Sequence, residues 1–479
     1  MTIEIPLNSP KPNTQGLADL EATVLRDLEL TDYPLRQWLP ERTTKDGRNI
    51  LDVLIIGGGQ GGLCCAFALL REKVSNILVI DENNEGLEGP WLSFARMHTL
   101  RTPKYVTGPD LGLPSLTLRA WYEAQFGAEG WKKLSLLPKQ QWAEYLLWYR
   151  KLLKLPVQNQ TRAGAIEWCI ENQCFLVPVS SPDGASHILA RKVVLSTGID
   201  GCGRWEIPSI ISNTLPKTRY AHTREDIDFA ALKGKRIAVL GAGASAFDNA
   251  SVALESGASA VHLFYRRKDL PCINPYRWAE FVGFLKHHGD LPDDLKYRFI
   301  AQIVQMGQLP PPDTFERATS HSNFTLHSGS RWESISYAND RVCIATSEEK
   351  FDVDFVIIGT GFVTDLSLRP ELANMVDKIA LWSDRFTPPD DIKMDDLLRH
   401  PYLGPGFEFT EKTPGEAPYL KHLYCYSFGA WLSLGFGGAS ISGMKYSIPK
   451  LAYAITRDIY SEYAHEFLQS LRDYDLQEF

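Results

Sequence analysis

The chain has 479 residues, 44% of them hydrophobic and 23% charged. At roughly 100–200 residues per domain this predicts two to four domains of ordinary globular make-up, and it excludes disorder, collagen and coiled coil. Lys and Arg number 50 against 58 Asp and Glu, a net charge of −8, so no global basic field exists to hold nucleic acid or anionic lipid.

The eight Cys contain no CxxC pair, and the 11 His form no cluster with zinc-like spacing. A reduced, cytoplasmic protein without a structural metal is expected. Residues 1–50 read as an N-terminal extension whose first twenty residues lack the apolar stretch of a secretory signal. Within it, Leu17–Leu30 has the Leu/Val spacing of an amphipathic helix.

From Leu51 to Asn83 a β-branched run breaks into glycines, an Ala/Leu-rich helix follows, and a second apolar run ends in acid. That order is strand, turn, helix, strand. Trp142–Leu155 predicts a helix with basic residues outward, Ala163–Val179 a hairpin, and Ala190–Gly198 a strand ending in Thr197-Gly198. Lys235–Arg267 repeats the strand–turn–helix–strand order, and two such dinucleotide-type βαβ units organise the sequence. A second hairpin, Ser334–Thr346, precedes Phe351–Phe362, which carries Thr360-Gly361. Leu423–Met444 is uncharged but interrupted by Gly and Ser, so no membrane span is expected. A helical stretch, Ile448–Arg472, closes the chain.

The first glycine motif is Gly57-x-Gly59-x-x-Gly62. Gly57 permits the tight turn, Gly59 lets backbone approach a pyrophosphate, and Gly62 allows close helix–strand packing, with the anion on the helix N-terminus beside Gln60. Asp81 follows by about 20 residues, where a carboxylate can accept from ribose hydroxyls. In the second motif, Gly241-x-Gly243-x-x-Ala246 with Ser245 inside it, Ala replaces the third Gly. Its second strand ends in Arg266 and Arg267 rather than an acid. Guanidinium forks bind a phosphate bidentately, so NADPH is favoured over NADH at this site, with FAD in the first unit as hydride acceptor.

These pieces, together with Gly89-Pro90-Trp91 after Asp81 and the two Thr-Gly strand ends, resemble the class B flavin-dependent monooxygenases: the flavin-containing, N-hydroxylating and Baeyer–Villiger group. The matching residues cover most of 50–365. The family's linker fingerprint, FxGxxxHxxx followed by an aromatic, keeps only His222; Pro216, Thr218 and Asp226 stand at its other positions. The resemblance implies an α/β fold of two Rossmann-like domains. A discontinuous FAD domain would take residues 51–200 and 355–479, with an NADPH domain inserted at 201–354. It also implies that His98, Thr99 and Arg101 lie on the reactive side of the flavin, Arg101 standing by spacing where many flavin-containing monooxygenases carry an Asn. Arg101, His98 and His222 are the catalytic candidates.

The implied reaction is reduction of FAD by NADPH, addition of O2 to give a C4a-(hydro)peroxyflavin, and transfer of one oxygen atom to a small-molecule substrate at N, S, a ring or a carbonyl. The sequence leaves open a homo-oligomer and two other functions. One is an FAD-dependent NAD(P)H reductase serving a protein or a disulfide; the other is a non-enzymatic flavin-binding module. Cys169 and Cys174 straddle the predicted hairpin turn and Cys64 and Cys65 lie in the first cradle helix, neither being placed for a redox-active dithiol.

Overall fold

The computed structural model describes residues 12–479; residues 1–11, the start of the extension, lie outside the described residues. The predicted extension helix spans Thr14–Leu30 and packs against the helix Leu118–Lys133. Seven strands form most of the first sheet: β1 (Leu51–Ile56), β2 (Ile77–Ile80), β3 (Val157–Gln158), β4 (Arg162–Ala163), β5 (Glu167–Cys169), β6 (Cys174–Ser181) and β7 (Gly184–Leu195). Their order is β3-β2-β1-β7-β6-β4, with β5 on β6. The central strands β1, β2 and β7 are parallel, and Val53, Leu54, Ile55, Val193 and Val194 are fully buried. Covered on both faces, such strands read as continuous apolar runs.

The link and the second unit begin with β8 (Gly203–Trp205), β9 (Tyr220–His222), β10 (Arg236–Leu240), β11 (Ala260–Phe264) and β12 (Phe324–His327). A hairpin sheet follows in β13 (Ser334–Ala338), β14 (Arg341–Ala345) and β15 (Lys350–Val353), then β16 (Phe355–Ile358) and β17 (Phe362–Thr364). The second parallel sheet runs β12-β11-β10-β16-β9. The last strand, β18 (Leu423–Cys425), returns to the first sheet and pairs with β7.

This topology corrects the sequence boundary at 354/355. Phe355–Ile358 lies inside the second sheet, Ile237 to Leu240 pairing in register with Phe355 to Ile358. The chain leaves that unit only at β17, which pairs antiparallel with β8. A further departure concerns residues 275–306, assigned by sequence to the inserted domain. The helix Asp293–Met306 buries Tyr297, Ile300 and Ile303 in a core shared with Trp382, Leu397, Trp431 and Leu432 of the C-terminal segment. The closing helix is two helices, Met444–Glu462 and Ala464–Arg472, meeting at Tyr463. The first packs on Gln60–Arg71. Among the described residues no helix is long and apolar enough to cross a membrane.

Candidate functional site

Both glycine motifs form the expected turns at the C-terminal edges of their sheets. Gly57 has φ +110°, and a Cβ there would overlap the Ser196 carbonyl; at Gly62 it would overlap the Gly57 carbonyl. Gly59 is the N-cap of the helix Gln60–Arg71, without a side-chain cap, and a Cβ on it would meet nothing within 4 Å. The helix start therefore presents uncapped N–H groups to a groove lined by Gly58, Gly86, Glu88, Trp91, Ala143, Leu146 and Arg150. This arrangement fits the pyrophosphate of a dinucleotide. Asp81 closes the loop, accepting from Gly58 N–H (2.7 Å) and from the backbone and side chain of Asn83 (2.8 and 2.9 Å). Gln60 accepts from Trp142 Nε1 (3.2 Å), and Trp142 meets Trp91 edge to face. Sequence reading missed the Glu88–Arg150 ion pair (2.7 Å) in this wall, since neither residue belongs to a motif.

The second cradle repeats the geometry. Gly241 has φ +115° against the Gly359 carbonyl, and Gly243 caps the helix Ala244–Glu255 with open space where a Cβ would be. Ala246 is tolerated in place of glycine because its neighbour just after β16 is itself a glycine: a Cβ on Gly359 would lie 2.8 Å from that of Ala246. Ser245 is exposed on the first turn. The Arg pair divides its work. Both are exposed, but Arg267 donates to the carbonyls of Gln305 and Met306 (3.3 and 3.4 Å) at the end of the helix Asp293–Met306. For NADPH-dependent turnover, Arg266→Ala is expected to raise the KM for NADPH by about tenfold, leaving that for NADH unchanged; steady-state kinetics with both cofactors measure the difference.

Between the cradles the two units meet through charged groups. Arg101 Nη2 donates to Asp248 Oδ2 (2.8 Å), a residue of the second cradle helix that is 4% exposed and also accepts from Thr314 (3.2 Å). Burial pushes the Asp248 carboxyl up, against the pull of Arg101 and Arg317. Arg317 grips Glu255 through two nitrogens (2.5 and 2.6 Å) and donates to the Arg96 carbonyl. Lys139, bonded to the Ala95 carbonyl, is pushed down to about 8 by burial and by Arg96. His98 is lowered by burial and by Arg317. Thr99 bridges to Pro138 nearby. Arg96, Arg101, Lys139 and Arg317 thus gather with Asp226, Asp248, Glu255 and Asp313 at the junction of the two units.

Thr197-Gly198 and Thr360-Gly361 lie at the ends of β7 and β16, both glycines in the left-handed region, with Thr360 Oγ1 donating to the Glu206 carbonyl (2.7 Å). His222 is not in this charged cluster. Its ring is 1% exposed, 5.2 Å from Trp205 of β8, with Nδ1 accepting from Arg224 N–H (3.1 Å). Burial pushes it down to about 4, so at neutral pH it is an uncharged packing group under the link.

Two dinucleotide cradles opening at the C-terminal edges of two parallel sheets, joined by a cluster of charged side chains, define a two-cofactor oxidoreductase. A family model described as pyridine nucleotide-disulphide oxidoreductase matches residues 51–282. The chain is 43% identical over 475 residues, 97% of each protein, to the FAD-dependent urate hydroxylase of Xanthomonas campestris pv. campestris. It belongs to that family of FAD-dependent hydroxylases. The ornithine hydroxylase of Pseudomonas aeruginosa shares the fold at TM-score 0.65 and 13% identity, over 86% of this chain and 100% of that one. The L-lysine 6-monooxygenase of Pseudomonas syringae does so at TM-score 0.64 and 18% identity, over 85% and 100%. The expectations of an α/β flavoprotein, of FAD and of a monooxygenase stand on this membership, which favours oxygenation over the reductase and flavin-module alternatives.

Proposed function

We propose that the chain is a cytoplasmic, NADPH-dependent FAD hydroxylase of a urate-type oxidised purine. The observation that carries this reading is the full-length relationship to the urate hydroxylase. The junction between the cradles supports it: Arg101, held by Asp248, and the neighbouring Arg96, Lys139 and Arg317 are donors that suit a planar heterocyclic anion.

In this reading the N–H groups around Gly57, Gly59, Gln60 and Gly62 hold the FAD pyrophosphate, and Asp81 turns its carboxylate to the ribose. Trp91 lines the same groove, and Thr99, Thr197 and Gly198 are assigned to the flavin beyond it. Gly241, Gly243, Ser245 and Ala246 cradle the NADPH pyrophosphate, Arg266 takes the 2′-phosphate, and Thr360-Gly361 borders this second site. Bound FAD supplies the hydride acceptor and the reaction with O2. Arg101, fixed in direction by Asp248, places positive charge where negative charge develops. Lys139 adds cationic character beside it, His98 stands there as an uncharged imidazole, and His222 positions the link rather than the chemistry.

The test is NADPH oxidation by the purified holoenzyme in air. Urate is expected to accelerate it and to be consumed with it, while ornithine and lysine are without effect; NADPH oxidation indifferent to urate would overturn the substrate assignment. Arg101→Ala is expected to retain FAD but to lose roughly tenfold or more in kcat/KM, with more hydrogen peroxide released per NADPH. Because this variant strands a buried carboxylate, Arg101→Ala/Asp248→Asn serves as the control for folding.

A further inference from the structure

Cys202 and Cys425 are 223 residues apart in sequence, yet their sulfurs lie 3.4 Å from each other, each 3.3 Å from Ser427 Oγ. Both side chains are buried. Cys425 is the last residue of β18 and pairs in register with Leu195, and Cys202 follows the Thr197–Gly201 turn after β7. The same turn borders the first cradle, since Ser196 packs on both Gly57 and Gly61, and Tyr426 also faces Gly61. The thiols therefore sit directly behind the wall of the groove assigned to FAD.

The two sulfurs are not equivalent. Hydrogen bonds from Cys202 and Ser427 favour the thiolate of Cys425 and lower its pKa, with Arg369 adding to the effect. The Cys202 thiol is raised, first by its bond to Cys425 and then by burial. Burial opposes ionisation of both, and the hydrogen bond between the sulfurs favours a single thiolate in the pair. Backbone packing keeps the pair together: a Cβ on Gly429 would overlap Cys202 Sγ, and one on Gly201 would lie 2.8 Å from Ser427 Cβ.

We propose that Cys202 and Cys425 are a peroxide-oxidisable dithiol whose disulfide ties β18 to the turn after β7. The oxidant is hydrogen peroxide, which a reduced flavin releases when its reaction with O2 is not coupled to substrate. The Cys425 thiolate attacks one peroxide oxygen; the S–O bond forms, the O–O bond breaks, and the departing hydroxide takes a proton as water. The Cys202 sulfur then attacks the sulfenic sulfur, forming S–S as S–O breaks, and its proton leaves with the second water. Two thiols lose two electrons and the peroxide gains them. Closing to a bond length of about 2.05 Å requires the sulfurs to approach by about 1.4 Å. That movement pulls on Ser427 and on the Phe428 N–H to Gly198 carbonyl bond (3.1 Å), so oxidation reshapes the cradle wall and slows turnover.

The experiment treats the holoenzyme with hydrogen peroxide, blocks remaining thiols with an alkylating agent, and reads the peptides by mass spectrometry. The expected product is a Cys202–Cys425 cross-linked peptide that disappears on reduction with dithiothreitol, in parallel with a reversible fall in activity. Cys202→Ser and Cys202→Ala are expected to yield no cross-link and to keep activity under the same peroxide dose. Oxidation confined to the exposed Cys272, or alkylation of both Cys202 and Cys425 after treatment, would overturn the proposal whatever the substrate of the enzyme proves to be.

Discussion

Gly59→Val is expected to give a folded, colourless protein. The backbone at this position is extended, φ −70° and ψ −173°, a conformation any L-residue adopts without strain. A Cβ there touches no protein atom within 4 Å, so the branch point of a valine enters open space. What it fills is the space in front of the uncapped helix N-terminus, where the pyrophosphate must approach. Loss of FAD affinity by more than about tenfold, or 1.4 kcal/mol, should appear as a lost flavin absorbance with an unchanged apo-protein melting temperature. Substitutions at Gly57 or Gly62 are poorer tests, because their side chains would collide with the Ser196 and Gly57 carbonyls and damage the fold itself. A Gly59→Val protein that purifies with full flavin would remove this cradle as the FAD site.

Glu462→Gln is expected to destabilise the protein by about 3 kcal/mol, measured by denaturant unfolding. Arg191 and Lys192, at the beginning of the β1–β7 pairing, are 2% and 0% exposed. Glu462, at the end of the helix Met444–Glu462, meets both at 2.6 and 2.5 Å, while Asp52 holds the other side of Arg191 at 3.0 Å. Removing the shared carboxylate charge leaves two buried cations with one buried acid. Solvent reaches part of Glu462, which places the loss near the lower end of the range for buried pairs. The Glu462 carboxyl is held down at about 2 against desolvation by Lys192 and Arg191. Its stabilisation is therefore fully present above its ordinary value of 4.5 and is lost as pH falls toward 2. His422, which accepts from Lys192 and is pushed down to about 3 by burial and Lys192, acts in the same direction from a higher pH. Its contribution is complete above 6.5 and declines below it. Stability should fall on mild acidification, and Glu462→Gln should lose the Glu462 part of that acid response.

The cradles were legible because their information is local. Each glycine requirement is met within a dozen residues, and strand, turn and helix follow one another without interruption. What stayed hidden depends on distant segments meeting. The partner of Arg101 is 147 residues away, on a helix whose sequence spoke only of nucleotide binding. Arg267 looks identical to Arg266 until the end of the helix Asp293–Met306 arrives to occupy it. The thiol pair escaped a search based on short cysteine spacings. Phe355–Ile358 was misplaced for another reason: an apolar strand ending in Thr-Gly occurs once in each unit, and only register shows which sheet receives it. His222 survives from a linker fingerprint otherwise absent, and the structure places it under that link.

The chain crosses between its two nucleotide-binding units twice, and the crossings run side by side as β8 and β17. Phe362 to Thr364 lie opposite Trp205 to Gly203, and the contact is so close that a Cβ on Gly203 would overlap the Val363 carbonyl. Two ribbons hydrogen-bonded in this way resist shear and torsion but still bend across their flat face. Together with the Arg101–Asp248 bond and the helix Asp293–Met306 packed on the C-terminal segment, the paired crossing fastens one unit to the other at three separate places. The distance between the two cradles is thereby written into the polypeptide itself.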